Sequence, residues 1–135
     1  MNDALMKQYK EEHYSKVKAA ILTTLGELKA VELSSELKQI ACGSDDQMVI
    51  RAEVALSTMN GESMSEDERN ESAFRLCRLA STIMAEERRL MAVGLRNLKI
   101  GDETEVFDTL MRLLQDENAN VRLEAGRTLT VVQFS

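Results

Sequence analysis

An all-α chain of stacked antiparallel helical hairpins is predicted from three observations. Proline is absent and glycine occurs only 6 times in 135 residues, so little interrupts a helix. Apolar residues recur at intervals of three and four along nearly every segment, which lines one face of a helix. No stretch alternates with period two for long enough to specify a strand; the β-branched end TLTVVQFS, 128–135, follows directly from a helical pattern. An irregular helical bundle is the alternative arrangement of the same elements.

Each element has its own signal. In 3–30, Leu5, Met6, Tyr9, Val17, Ile21, Leu25 and Leu28 predict amphipathic helix, either one rod or two helices parted near His13–Ser15. The segment SSELKQIAC, 34–42, offers Ser34 or Ser35 as N-cap and Gly43 as the stop. DDQMVIRAEVALSTM, 45–59, predicts a helix of about four turns ended by Asn60–Gly61. Ser65 followed by Glu68 is a capping box opening the next helix, whose inward face takes Phe74, Cys77 or Leu76, Ala80, Ile83 and Met84. A further helix carries Leu90, Met91, Val93, Leu95 and Leu98 up to an Ile100–Gly101 turn. The last pair covers 102–115, with Val106, Phe107, Leu110, Leu113 and Leu114 inward, and then 117–133.

Length and composition bound the rest. The chain is most simply one domain, 1–135, long enough to bury roughly 65–70% of its unfolded surface. Hydrophobic residues make up 44% and charged residues 30%, a globular balance. No apolar run is long enough to span a membrane and no signal-peptide pattern opens the chain, so the cytoplasm is the expected compartment. Cys42 and Cys77 stand apart among apolar neighbours and read as small buried side chains. The net charge of −6 argues against general nucleic-acid binding.

One pattern occurs twice. DENANVR at 116–122 echoes DDQMVIR, which lies 71 positions upstream at 45–51. Both open on acids, close on an aliphatic–Arg step and lead into a helix. The offset is about twice 35, room for one intervening hairpin at 66–98, and a further pair, 3–13 and 15–30, stands ahead of the first. With Asp116, Val121, Arg122, Ala125 and Leu129 in one copy, the chain resembles HEAT-like helical repeats of the short bacterial kind. The upstream copy keeps Asp45, Ile50 and Arg51 but has Val54 and Thr58 in place of the Ala and Leu. The expected roles of these residues are structural. The Asp caps the second helix of a hairpin, the aliphatic residue and Ala pack it closely, and the Arg reaches a carboxylate in the next turn.

The enzymatic templates lack their parts. The single histidine, His13, lies in a charged stretch and reads as solvated. Adjacent acids do not face one another on a helix, so the many acidic pairs read as caps and solvated faces. Phosphate-binding loops, a nucleophile elbow, a zinc-protease motif and an EF-hand are all missing, so no catalytic residue, cofactor or metal is expected. The stretch 69–96 holds six arginines, Arg69, Arg75, Arg78, Arg88, Arg89 and Arg96. Read plainly, they pair with Glu71, Glu86 and Glu87; read as a site, Arg75, Arg78, Arg88, Arg89 and Arg96 form a strip that receives an acidic partner segment. Most of the eight Met residues read as core.

The expected function is therefore a non-enzymatic adaptor or regulator that binds another protein, with homodimerisation through an exposed end a further possibility. The resemblance also implies two alternatives, an accessory subunit like the HEAT-like bilin lyases and a phosphate-backbone binder like the helical-repeat DNA-repair proteins.

Overall fold

The computed structural model describes residues 1–82, 84–100 and 104–132. Eight α-helices and a short 3-10 turn make up the described residues, with no strand among them. They are α1 (Asn2–Glu11), α2 (Ser15–Glu27), the 3-10 turn Val31–Leu33, α3 (Ser34–Ala41), α4 (Asp46–Asn60), α5 (Glu66–Arg78), α6 (Ala85–Leu98), α7 (Thr104–Leu113) and α8 (Ala119–Val131). The all-α class is as predicted. No described helix is long and apolar enough to cross a membrane.

The helices gather into two compact units, Met1–Asn60 and Gly61–Ser135. In the first, α1 packs on α2, α3 on α4, and α2 on α4. Two helices rather than one rod cover 3–27, because Glu12 intervenes: its Oε1 accepts from the N–H groups of His13 and Tyr14 at 3.1 and 3.2 Å. The core between the helices includes Leu22, Leu25, Leu37 and Ala52, all fully buried. Val17 and Leu28, expected inside, are 42% and 43% exposed. Neither Ser34 nor Ser35 caps α3. The 3-10 turn runs straight into the helix, and the Ser34 hydroxyl instead donates back to the Val31 carbonyl at 2.7 Å.

In the second unit α5 packs on α6, α7 on α8, and α6 on α8, with α5 also against α7. The capping box is present as expected: Ser65 Oγ accepts from the Glu68 N–H and Glu68 Oε1 accepts from the Ser65 N–H, both at 3.1 Å. Leu76 and Cys77 are both buried, whereas Phe74 is only half-buried and Met84 is exposed; Ile83 and Gly101 lie outside the described residues. Phe107, also expected inside, is 39% exposed.

Each unit thus repeats one packing, with the second helix of one hairpin against the second helix of the next. A second echo accompanies it. Lys29 and Lys99, just beyond the ends of α2 and α6, both adopt the left-handed conformation, with φ of 53° and 55°. Side chains with a Cβ rarely do so.

Cys42 does not follow the sequence expectation. It caps the end of α3 and is exposed, while Cys77 is buried. Burial pushes the Cys77 thiol pKa up, which leaves little thiolate at neutral pH. A thiol reagent added to the native protein is expected to label Cys42 rapidly and Cys77 only on unfolding. Equal labelling of both would contradict this burial.

Candidate functional site

The spacing of the α6 arginines decides where each guanidinium goes. Arg89 and Arg96, seven residues apart, share a helix face, whereas Arg88 is turned by one residue to another. Arg88 meets the turn between α7 and α8. Its Nε and Nη2 donate to the two carboxylate oxygens of Asp116 at 2.7 and 3.2 Å, a bidentate pair in which each side chain is 10% exposed. Arg88 Nη1 donates to the Thr82 carbonyl at 2.8 Å.

Arg89 and Arg96 meet α8 instead. Glu124 accepts from Arg89 Nη1 at 3.0 Å, from Arg96 Nη1 at 3.3 Å and from Arg127 Nη1 at 3.5 Å. Arg89 is also held by Glu86, with its closest contact at 2.6 Å. Thr128, fully buried, donates its hydroxyl to the Ala92 carbonyl at 2.7 Å and ties the same two helices together. Of the five arginines read as a strip, Arg88, Arg89 and Arg96 are held by these contacts within the chain. Arg75 and Arg78 lie on α5, half-buried and exposed respectively.

The repeated residues take unequal parts. Asp45 caps α4, its Oδ1 accepting from the Met48 N–H at 3.4 Å. Asp116 does not cap α8; Asn118 does, its Oδ1 accepting from the N–H groups of Asn120 and Val121. Asp116 instead accepts from the Asn118 N–H at 2.9 Å, which braces the turn while it binds Arg88. Ile50, Val121 and Ala125 are fully buried, as their packing role requires. Arg51 donates to the Thr23 hydroxyl at 2.9 Å, and Arg122 to the Asp116 carbonyl at 2.7 Å. The tie expected of a repeat arginine to the next turn is made by Arg88.

Glu124 and Thr128 were not singled out by the sequence reading, yet a signal for them existed. Carried past Arg51, the offset of 71 pairs Glu53 with Glu124 and Ser57 with Thr128. All four are buried on the second helices α4 and α8. A buried carboxylate is costly unless it is paired, which makes a repeated one conspicuous.

Electrostatics follow the geometry. The Arg88 hydrogen bonds hold the Asp116 carboxyl below the usual aspartate range. Burial works to raise the Glu124 pKa, but the Arg96 and Arg89 guanidinium groups outweigh it and the net direction is down. A lowered folded-state pKa contributes stability that is complete above the ordinary carboxylate range and is lost as pH falls through the lowered value. The unfolding midpoint is accordingly expected to be insensitive to these two groups from neutral pH down to about pH 5 and to fall below about pH 4. Asp116→Asn should make that acid limb shallower, and an unchanged limb would show that Asp116 does not contribute.

Chemically this arrangement binds and braces. The hydrogen bonds to Asp116 and Glu86 raise the Arg88 and Arg89 pKa values and so favour their charged forms, and among the described residues no group of three or more His, Cys, Asp or Glu is placed to hold a metal. His13 is exposed beyond α1, in the other unit. Around Glu124, three guanidinium groups face two carboxylates, Glu124 and Glu86, so one positive charge is left toward solvent, where the Arg127 side chain is 59% exposed. On the same flank of α8, Leu123 and Val131 stand four residues to either side of Arg127, 52% and 54% exposed. The chain matches no family model and no curated protein.

Proposed function

We propose that this chain is a non-enzymatic protein-binding module of the HEAT-like helical-repeat type, an adaptor or regulator that works in the cytoplasm. The supporting observation is the packing repeated in each unit, second helix on second helix, with the Arg88–Asp116 tie linking one hairpin to the turn of the next. Repeat units of this kind bury a shared core and leave extended helical surfaces for macromolecular partners. The outer flank of α8, with Leu123, Arg127 and Val131 beside Arg96, suits an acidic and aliphatic partner segment. Arg78, exposed on α5, is a second place for an acidic contact.

The test is affinity capture from the source cell's lysate, with and without nuclease, using the wild-type chain and a Leu123→Ser/Arg127→Glu variant. A nuclease-resistant protein partner whose capture falls at least about tenfold in the variant is expected, the equivalent of 1.4 kcal/mol. Capture that vanishes with nuclease would replace this reading with a nucleic-acid one. A partner held equally by both chains would move the surface elsewhere.

A further inference from the structure

Where the outer flank of α8 meets α6, two arginines converge on one atom. Arg96 and Arg127 each donate through Nη1 to Glu124 Oε1, at 3.3 and 3.5 Å, while Arg89 donates to the other oxygen. Their side chains are 25% and 59% exposed. Among the described residues neither of the two guanidinium groups has a further acceptor, so Nε and Nη2 of both remain available as donors. Aliphatic side chains frame the pair. Leu123 and Val131 stand one turn to either side of Arg127 on α8, about half exposed, and Val93 is half-buried one turn before Arg96 on α6.

We propose that this seam anchors one carboxylate of a partner helix, an Asp or Glu that bridges Arg96 and Arg127, with an aliphatic residue four positions to either side of it. The inference rests on the protein-binding reading of α8 given above and specifies its ligand. Charge selects the carboxylate. The three guanidinium groups exceed Glu86 and Glu124 by one positive charge, which a single carboxylate neutralises. A phosphate group carries about −1.5 to −2 at neutral pH and would be left in excess beside those two acids. A Lys or Arg would oppose the pair, and like-charge opposition is a strong discriminator.

Spacing selects the helix. A helix rises 1.5 Å per residue, so Leu123, Arg127 and Val131 follow one another at intervals of about 6 Å. Residues four apart on a helix laid alongside repeat at the same interval, whether it runs parallel or antiparallel to α8. An extended segment would instead bring a row of backbone N–H and C=O groups against a helix face, which offers no sheet edge to pair them.

The test is selection from a display library of helix-forming segments of about four turns, randomised along one face, on the immobilised full chain. Enriched segments should carry an acid with an aliphatic residue four positions before and after it. Made as synthetic peptides, they should bind Arg96→Gln and Arg127→Gln at least about tenfold more weakly than the wild type, and replacing their acid by its amide should cost as much. Reversal should rescue: a peptide with Lys in place of the acid should bind Arg127→Glu better than it binds the wild type. Circular dichroism confirms that every variant keeps its helix content. Peptides that need Leu123 but no acid overturn this inference and leave α8 as the docking surface. Peptides held equally by the wild type and the Leu123→Ser/Arg127→Glu chain overturn both readings. A selection that enriches nothing, or peptides displaced by duplex DNA at physiological salt, also overturns the proposal.

Discussion

Asp116→Ala is expected to destabilise the second unit by about 2–3 kcal/mol, the largest effect of any single polar truncation in that unit. The substitution removes both acceptors of the Arg88 fork and the acceptor of the Asn118 N–H. Hydrogen bonds to charged groups contribute about 1.5–3 kcal/mol, and a guanidinium left in a largely buried place adds desolvation cost. The pair lies near the surface, so solvent screening brings the total below that of a fully interior pair. For a unit of this size such a loss lowers the melting midpoint by on the order of 10 °C.

A double-mutant cycle separates the tie from its parts. Arg88→Ala should cost about as much as Asp116→Ala, and the double variant less than their sum by about 1–2 kcal/mol. Strict additivity would mean that the two side chains stabilise the fold independently. Arg122→Ala serves as the contrast, because its guanidinium donates only to a backbone carbonyl from an exposed position. Its effect should be under about 1 kcal/mol.

The second large effect is expected at Gly26. A Cβ built there would stand 2.9 Å from Ala55 Cα and 3.0 Å from Ala55 Cβ, so α2 and α4 approach as closely as their backbones allow. Gly26→Ala gains about 1 kcal/mol of helix propensity but must push the two helices apart. Overpacking of this kind costs about 1–3 kcal/mol, and the obstacle here is backbone, which has no rotamer to escape through. A net loss of about 1–2 kcal/mol is expected, and larger for Gly26→Leu.

Gly126 should respond with the opposite sign. A Cβ there meets only the Leu114 Cδ2 at 3.8 Å, an ordinary contact, so Gly126→Ala should stabilise α8 by roughly 1 kcal/mol. Denaturant titrations of both variants decide the matter. If Gly26→Ala matched Gly126→Ala in sign, the close approach of α2 and α4 would be wrong.

Much of the candidate site was partly legible for the same reason that some caps were. The Ser65–Glu68 box was readable because both partners sit within one turn of the chain, where backbone geometry alone brings them together. Ser34 had equally good local chemistry and failed, since the preceding 3-10 turn supplied another acceptor. Arg88, Arg89 and Arg96 were picked out by density, but their partners Asp116 and Glu124 lie 28 or 35 residues further on. No local spacing rule reaches that far. The one sequence signal that does reach, the offset of 71, pairs Glu53 with Glu124 and Ser57 with Thr128, but these positions lie off the Asp, aliphatic–Arg, Ala and Leu pattern by which the repeat is recognised.

The amino-acid sequence by itself determined that this chain is all helix, roughly where each helix begins and ends, and that one hairpin pattern recurs. Helical periodicity, turn residues and capping are local interactions, and their energetics are written in neighbouring positions. Tertiary structure alone decided which face of each helix meets which neighbour. It buried Glu124, spent three arginines inside the chain, exposed Cys42 and brought Gly26 against Ala55. Those outcomes depend on the few degrees and ångströms by which one helix is set on the next, and long flexible guanidinium side chains take whatever carboxylate that placement brings within reach.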